Sequence, residues 1–363
     1  MATRTSELTA ADGVLRLHLN ESPYGPPPTV VDAVGREFER HGSLYPEGES
    51  PNLRRSIAEH LGLPPEMVAV GNGVDELVLL AALAFGGADS TVLMTETTFP
   101  GYLFAAKAVN ATATRLPLKD LTVPTDDFVT AMKNGADLAY LCNPHNPTGA
   151  LLDGGAVDMV VTAAENSGTV LIVDEAYMDF AADETASVLD SVRSGRRVIV
   201  LRTFSKAWGL ASLRTGYAAG PADLIAKLWN ARRSLPFNVN RLAQHAVPIA
   251  LRQTDFLEQV QHRTAVAREL LCTRLGELNL RHLRSAANFV MVETGADSPA
   301  LVDRLAEEHR ILVRDLTPFG LDGWARISVG TPEEVDRLAI ALRSLRDTAP
   351  SAPVPTPPAL TPR

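Results

Sequence analysis

The stretch Val198-Ile-Val-Leu-Arg-Thr-Phe-Ser-Lys-Ala-Trp-Gly-Leu-Ala-Ser-Leu-Arg214 is the most informative in the chain. Its first four residues are all apolar, which predicts a buried parallel strand. Lys206 comes shortly after that strand, at the edge where open α/β sheets bind ligands. A lysine there can form a Schiff base with an aldehyde, and Ser205 and Arg214 can hold a phosphate. Taken alone, the motif also fits a Lys and an Arg on a solvated loop.

A second motif, Val170-Leu-Ile-Val-Asp-Glu-Ala-Tyr177, is an apolar strand that ends in an acid. Pyridoxal 5'-phosphate (PLP) carries both an aldehyde and a phosphate, and it needs a carboxylate beside its pyridine nitrogen to act as an electron acceptor. Asp174 fits that role, and Tyr177 can reach the ring hydroxyl of the cofactor. Taken alone, an Asp at this place is more often a helix cap or a metal ligand.

Two further motifs support a PLP site. The strand Leu138-Ala-Tyr-Leu-Cys142 leads into a turn with two prolines, which can aim the side chain of Asn146 at the same ring oxygen. An ordinary turn is the alternative.

Gly71-Asn-Gly73 opens an apolar helix, whose amino terminus can bind a phosphate. It is not a dinucleotide fingerprint, because Glu76 stands at the third glycine position, and no Gly-Lys-Ser/Thr of a P-loop follows.

In this order the motifs resemble those of the fold-type-I PLP aminotransferases, and within them the histidinol-phosphate aminotransferase branch. The resemblance extends from about residue 17 to about residue 345. The branch is indicated by Leu19-Asn-Glu-Ser-Pro-Tyr-Gly-Pro26, Tyr45-Pro46, Leu235-Pro-Phe-Asn-Val-Asn240, Ala287-Asn-Phe289 and Ala325-Arg-Ile-Ser-Val-Gly330. It implies an α/β fold: an aspartate-aminotransferase-like large domain with a mostly parallel seven-stranded sheet flanked by helices, and a smaller α+β domain.

The resemblance assigns catalytic roles to Lys206, Asp174 and Tyr177. Lys206 would form the Schiff base and then move protons, while Asp174 would pair with the pyridine nitrogen. Tyr177 would bind the ring oxygen together with Asn146. The expected cofactor-binding residues also include Phe99, which would stack on the ring, and the phosphate ligands Ser205, Arg214 and the amides of Val74 and Asp75.

Substrate and subunit contacts follow from the same resemblance. Arg326 would bind the substrate carboxylate through a bidentate fork, and Arg314 a second anionic group. Tyr24 and Asn238 would donate neutral hydrogen bonds to a substrate phosphate. Tyr45 would reach the phosphate of the neighbouring subunit's cofactor, which implies a homodimer with shared active sites.

The implied activity is a transamination between an amino donor and 2-oxoglutarate, with histidinol phosphate favoured as the donor. An aromatic amino acid aminotransferase or a secondary-metabolism PLP enzyme on the same scaffold is the alternative. A decarboxylase is disfavoured, because Arg326 would protect the α-carboxylate from loss. A binding protein on an inactive fold is disfavoured by the intact Lys206, Asp174 and Arg214.

Composition is consistent with this hypothesis. The 363 residues include 34 Lys and Arg against 43 Asp and Glu, so the net charge of −9 disfavours nucleic acid as a partner. Cys142 and Cys272 suggest no disulfide framework, and the eight His show no metal-ligand spacing. The amino terminus lacks an apolar signal region and no run reaches membrane-spanning length, so we expect a cytoplasmic protein without a membrane partner.

The pattern along the chain predicts five segments. Residues 1–13 are expected to be flexible, and residues 14–44 to pack with the small domain and the active-site mouth. Residues 45–241 alternate short strands and helices, as in a large PLP-binding domain. Residues 242–347 would form the small domain, with a long helix over residues 255–278. Residues 348–363 contain six prolines and are expected to be disordered.

Overall fold

The computed structural model describes residues 13–182 and 186–347. Within this part of the chain there is one sheet of seven strands and one of four. The predicted α/β fold with a mostly parallel seven-stranded sheet is therefore confirmed. The flexibility predicted for residues 1–12 and the disorder predicted for residues 348–363 concern positions outside the described residues.

The strands are short and mostly buried. In chain order they are β1 (Leu15–Leu17), β2 (Val68–Gly71), β3 (Thr91–Thr95), β4 (Thr112–Leu116), β5 (Leu138–Cys142), β6 (Val170–Asp174), β7 (Val198–Thr203), β8 (Gly216–Ala219), β9 (Phe289–Glu293), β10 (Ile311–Asp315) and β11 (Trp324–Ser328). The large sheet has the order β2-β8-β7-β6-β5-β3-β4, and β8 is antiparallel to both neighbours, whereas the other pairs are parallel. The small sheet has the order β1-β10-β11-β9.

Helices cover both faces of the large sheet. The helices are α1 (Pro28–His41), α2 (Pro51–Leu61), α3 (Gly73–Phe85), α4 (Gly101–Ala108), α5 (Thr125–Lys133), α6 (Gly154–Ser167), α7 (Leu189–Arg193), α8 (Ala222–Arg232), α9 (Arg241–Ala250), α10 (Thr254–Glu277), α11 (Ser298–His309) and α12 (Pro332–Asp347). Alternate residues of the central strands enter opposite cores: Leu171 and Val173 lie in one, and Ile172 in the other. Because both faces of the central strands are buried, their sequences are continuous apolar runs.

The core on one face of the large sheet reaches beyond the predicted domain boundary. Ala243, Ala246 and Val247 of α9 are buried in the same cluster as Val200 of β7, and so is Val30 of α1. We therefore propose that α1 and α9 belong to the large domain. Strand β1 pairs in parallel with β10, which ties the beginning of the described chain to the small sheet.

Residues 18–25, which we call the strap, run from the small sheet across the turn that carries Lys206. A Cβ on Gly209 in that turn would lie 2.1 Å from the carbonyl oxygen of Gly25, so only glycine permits this approach. The carboxyl ends of β5, β6 and β7 lie side by side beneath the strap. None of the helices in the described ranges combines the length and the apolar character that a bilayer crossing requires.

Candidate active site

A cleft of about 820 Å³ opens where the strap, the small sheet and the ends of the central strands meet. It is lined by most of the residues that the sequence predicts for a PLP site and its substrate: Val74, Asp75, Phe99, Asn146, Asp174, Tyr177, Ser205, Lys206, Arg214, Arg314 and Arg326. These residues come from five separate strand ends and from the small sheet. The fold thus brings together side chains that are as much as 252 positions apart, from Val74 to Arg326.

Lys206 lies three residues after the end of β7 and is half-buried in the cleft. Its Nζ donates a hydrogen bond to the carbonyl oxygen of Leu19 on the strap, at 3.0 Å. Burial is the main reason that the pKa of this amine falls to about 8, and the positive charge of Arg326 lowers it further. A neutral amine is therefore accessible near physiological pH, as a nucleophile or a proton acceptor requires.

Asp174 ends β6 and is only 4% exposed. The hydroxyl of Tyr102 donates to its Oδ2 at 2.6 Å, and the amide of Ala176 donates to its Oδ1 at 3.1 Å. Burial raises the pKa of the carboxyl to about 6, against the opposing effect of these two hydrogen bonds. Within the described residues the carboxylate makes no ion pair, so a cationic ring nitrogen would supply the partner that it lacks.

Asn146 and Tyr177 face the cleft from the ends of β5 and β6. The Oδ1 atom of Asn146 accepts a hydrogen bond from Nη1 of Arg326 at 2.5 Å. The hydroxyl oxygen of Tyr177 accepts one from Nδ2 of Asn20 at 3.1 Å. Both side chains are therefore fixed by neighbours while they keep donor groups, the amide N–H₂ and the phenol O–H, for a ring oxygen.

The predicted phosphate cup lies at the amino terminus of α3. Arg214 places Nη1 3.4 Å from Oγ of Ser205 and Nη2 2.5 Å from a carboxylate oxygen of Asp75. Gly73 has a φ of +79°, and a Cβ there would lie 2.5 Å from Nη2 of Arg214. The first amides of a helix have no intrahelical acceptor, so those of Val74 and Asp75 are available to an anion.

Arg326 is a buried cation that makes no ion pair within the described ranges of the chain. It is 7% exposed, its Nη2 donates to the carbonyl oxygen of His18 at 3.1 Å, and its buried Nε has no hydrogen-bond partner among the described residues. It pairs in register with Arg314 across β10 and β11, so both side chains leave the sheet on one face. Burial is the first cause that lowers the pKa of Arg326, and the charge of Arg314 lowers it further. Like charges placed opposite each other are unfavourable, so this end of the cleft is suited to bind anions.

Three predicted residues lie outside the lining of the cleft. Tyr45 is 79% exposed and stacks on Phe237 with ring centroids 5.0 Å apart. The amide of Asn238 donates to Glu76 at 2.7 Å, and its oxygen accepts from Arg232 at 3.1 Å.

Tyr24 is the third of these residues, and it packs against the apolar cluster that contains Tyr177. The guanidinium of Arg263 lies 4.0 Å from the centroid of its ring, and its buried hydroxyl has no partner in the described chain. The substrate roles of Tyr24 and Asn238 and the cofactor role of Tyr45 remain predictions.

Sequence reasoning missed several residues of the site. Tyr102 received no role, although it bonds Asp174 directly; its spacing of three residues from Phe99 was the available signal, and the two rings meet edge-on at 5.4 Å. His18, Asn20 and Glu21 on the strap also line the cleft. No pattern in the sequence alone pairs these strap residues with Lys206 or Tyr177.

Comparisons with known proteins relate the chain to one family. A model of aminotransferase class I and II matches residues 12–342. Histidinol-phosphate aminotransferase 2 of Carboxydothermus hydrogenoformans is 34% identical over 330 residues, which cover 90% of either chain. Histidinol-phosphate aminotransferase of Symbiobacterium thermophilum is 34% identical over 334 residues, 91% of this chain and 90% of the relative. The crystal structure of histidinol-phosphate aminotransferase from Sinorhizobium meliloti in complex with pyridoxal-5'-phosphate superimposes with a TM-score of 0.83 at 28% identity, covering 95% of this chain and 98% of that chain.

Proposed function

Because this chain belongs to aminotransferase class I and II, we propose that it moves an amino group from histidinol phosphate to 2-oxoglutarate with PLP as its cofactor. The observation that carries the substrate proposal is the anion-binding end of the cleft, where Arg314 and the buried Arg326 face the same side of the small sheet. Lys206 and Asp174 line the same cleft from the ends of the central strands.

The residues present fit the cofactor. The buried Asp174 has no cationic partner in the described part of the chain, and a protonated pyridine nitrogen would supply one and hold the carboxylate in its charged form. Arg214, Ser205 and the first amides of α3 offer a donor set suited to a phosphate. When bound, PLP supplies an electron-accepting ring that stabilises negative charge on the carbon that bears the substrate amine.

The chain itself contributes orientation and proton transfer. Lys206 holds or releases a proton at Nζ near neutral pH, because burial lowers its pKa to about 8. Asn146 and Tyr177 would fix the ring so that its face meets this amine. The strap covers the turn of Lys206 and limits the access of water from that side.

The two half-reactions place different anions, a phosphate in one and a carboxylate in the other, at the same end of the cleft. Histidinol phosphate carries a phosphate on a long side chain, whereas glutamate and 2-oxoglutarate carry carboxylates. The planar fork of Arg326 can pair with either anion, and Arg314 can add a second charge to the phosphate. Two cationic side chains on one face suit the more highly charged substrate.

The alternative is an aromatic amino acid aminotransferase or a secondary-metabolism enzyme on the same scaffold. The apolar side chains of Phe99, Phe104 and Phe319 line the cleft, which supports an aromatic substrate. Such a substrate needs one carboxylate anchor and leaves Arg314 without a charged partner from the substrate.

Half-reaction spectroscopy separates these choices. Purified PLP enzyme is mixed with histidinol phosphate, phenylalanine, tyrosine or glutamate, and the loss of the cofactor's visible absorbance is followed over time. We expect the highest kcat/KM with histidinol phosphate and a selective loss of that preference in Arg314→Gln. A higher kcat/KM with phenylalanine, or no absorbance change with histidinol phosphate, would reject the substrate and keep the transaminase.

We further propose that the enzyme is a homodimer whose sites are shared. Tyr45 and Phe237 form a stacked pair that is largely exposed in the single chain, and Phe38 and Leu44 add exposed apolar surface nearby in sequence. Such a surface is typical of an interface with a second subunit. Burial in a dimer would place the Tyr45 hydroxyl near the partner's phosphate cup.

Complementation tests the shared site. Lys206→Ala and Tyr45→Ala are each expected to have little activity, and a mixed dimer has one site with both residues intact. Mixing the two variants should therefore restore activity above that of either alone. No recovery after proven subunit exchange would place Tyr45 outside the partner's site. As part of this proposal we also expect a cytoplasmic enzyme, which cell fractionation would test.

A further inference from the structure

Every polar group of Asn20, which lies in the strap, takes part in a hydrogen bond. It is 1% exposed and has a φ of 55°, in the left-handed region that Asn tolerates better than most residues. Its backbone N–H donates to Oγ of Ser328 on β11 at 2.8 Å, and its carbonyl oxygen accepts from Nδ2 of Asn288 at 3.0 Å. The residue therefore joins the strap firmly to the small sheet.

This network fixes which way the side-chain amide of Asn20 points. Because Oγ of Ser328 already accepts the backbone N–H of Asn20, its own proton is donated to Oδ1 of Asn20, at 3.0 Å. The opposite side of the amide, Nδ2, then faces the hydroxyl oxygen of Tyr177 at 3.1 Å. An amide nitrogen can only donate, so the oxygen of Tyr177 is the acceptor in this bond.

The hydrogen bond from Asn20 leaves the hydroxyl proton of Tyr177 free to be donated to an acceptor in the cleft. A phenol has a single O–H, and Asn20 does not compete for it. Burial raises the pKa of Tyr177 to about 12, against the opposing effects of Arg326 and of the Asn20 hydrogen bond, so the phenol keeps its proton at neutral pH. The ring of Tyr177 lies 5.8 Å from Nζ of Lys206, which places it beside the site of cofactor attachment.

We propose that Asn20 is a positioning residue: it keeps the hydroxyl proton of Tyr177 directed into the cleft, toward the ring oxygen of PLP. The inference rests on the proposed function, in which Tyr177 meets that oxygen. Through Ser328 and Asn288, the direction of a donor in the large domain becomes dependent on the small sheet.

Two substitutions at Asn20 separate positioning from a structural role. Asn20→Asp keeps the size and the left-handed backbone, but its carboxylate accepts a hydrogen bond and draws the Tyr177 proton away from the cleft. Asn20→Gly removes the side chain, also tolerates the backbone angle, and leaves the Tyr177 proton free to point either way. Positioning therefore predicts a larger effect for Asp than for Gly, whereas simple packing predicts the reverse.

The readout is the pH midpoint of the visible absorbance of bound PLP. A hydrogen bond donated to the ring oxygen makes that oxygen a weaker base, so losing this bond moves the midpoint to higher pH. We expect an upward shift of about one pH unit in Asn20→Asp, close to that of Tyr177→Phe, and a smaller shift in Asn20→Gly.

The controls account for charge and for local packing. The charged groups around the Lys206 amine are Arg326, Glu21, Arg214 and Asp75, and none of the variants changes them. A new carboxylate at position 20 acts by its charge as well, so Asn20→Asp is also measured in the Tyr177→Phe background. Ser22→Ala, which alters a strap hydroxyl that has no partner among the described residues, should leave the midpoint unchanged.

Each outcome has one meaning. If Tyr177→Phe leaves the midpoint unchanged, the proposed role of Tyr177 fails, and with it the basis of this inference. If Tyr177→Phe shifts the midpoint and Asn20→Asp does not, the role of Asn20 is overturned while that of Tyr177 stands. The role of Asn20 is also overturned by an equal shift of Asn20→Asp in both backgrounds, or by a shift in Asn20→Gly as large as that in Asn20→Asp.

Discussion

Replacing Asp174 by Asn is expected to stabilise the cofactor-free protein at alkaline pH while it removes most of the activity. Burial raises the pKa of this carboxyl from 3.8 to about 6. Because the folded-state pKa lies above the unfolded one, folding favours the protonated acid, and the charged form destabilises the fold at high pH. This penalty is fully present above pH 6 and fades as the pH falls toward 4. A difference of about two units corresponds to about 3 kcal/mol at pH 8 and about half of that at pH 5.

The substitution can preserve the hydrogen bonds around the site. The new amide nitrogen can donate to the oxygen of Tyr102, and the remaining oxygen can still accept from Ala176. The Tyr102 proton can then turn to the sulfur of Cys142, which is within its reach. The change in stability should therefore reflect the loss of a buried charge.

Urea unfolding of the cofactor-free protein at pH 8 and pH 5 measures this effect. We expect Asp174→Asn to raise the free energy of unfolding by up to about 3 kcal/mol at pH 8 and by less at pH 5. In the PLP-bound enzyme this gain in stability should disappear, because a neutral amide cannot form an ion pair with a pyridinium. The value of kcat should fall by on the order of 10³-fold. The exposed Asp322→Asn is the matched control and should change neither quantity. A cofactor-free variant that is equally destabilised at both pH values would refute the reasoning.

Three other changes test the remaining parts of the site. Lys206→Ala should still bind PLP but lose the visible absorbance of the attached cofactor and nearly all turnover, and normal turnover would overthrow its assignment. Arg326→Lys keeps the charge without the fork, so kcat/KM for glutamate should fall by about 10²-fold, and an unchanged value would remove Arg326 as the carboxylate anchor. Gly73→Ala places a Cβ 2.5 Å from Nη2 of Arg214 and should weaken PLP binding about tenfold in a fluorescence titration. Gly135→Ala is the control for backbone strain, because Gly135 has a φ of +106° and no heavy atom lies within 4 Å of the added Cβ. An equal loss of PLP affinity in Gly135→Ala would contradict the role of Gly73 and Arg214 in phosphate binding.

The sequence predicted those parts of the site that local pattern determines. Apolar runs followed by polar residues identified β5, β6 and β7 and placed Asp174 at the end of β6, and Asn146 and Lys206 just beyond β5 and β7. Parallel strands end at one edge of a sheet, so the three side chains had to converge there. The predicted helix over residues 255–278 agrees with α10 within one residue at either end.

The contacts that the sequence did not predict join residues far apart in the chain. Tyr102 meets Asp174 across 72 positions, and Asn20 meets Tyr177 across 157. Neither has a periodic pattern or a neighbouring motif that would identify its partner. Asn238 is a different case: the resemblance implies a substrate contact, which stays a prediction, and in this structure its amide group bonds Glu76 of α3 and Arg232 of α8.

The attachment of the cofactor at Lys206 is tested most directly by reduction with borohydride followed by tryptic mapping. Reduction would fix a pyridoxyl phosphate group on the lysine amine and block cleavage after that residue. Trypsin should then release residues 203–214 as one peptide that carries the added mass, since Arg202 and Arg214 flank it. We predict this labelled peptide in the wild-type protein and its absence in Lys206→Ala. A label on another lysine, or an unlabelled peptide cleaved after Lys206 in a fully PLP-loaded sample, would contradict it.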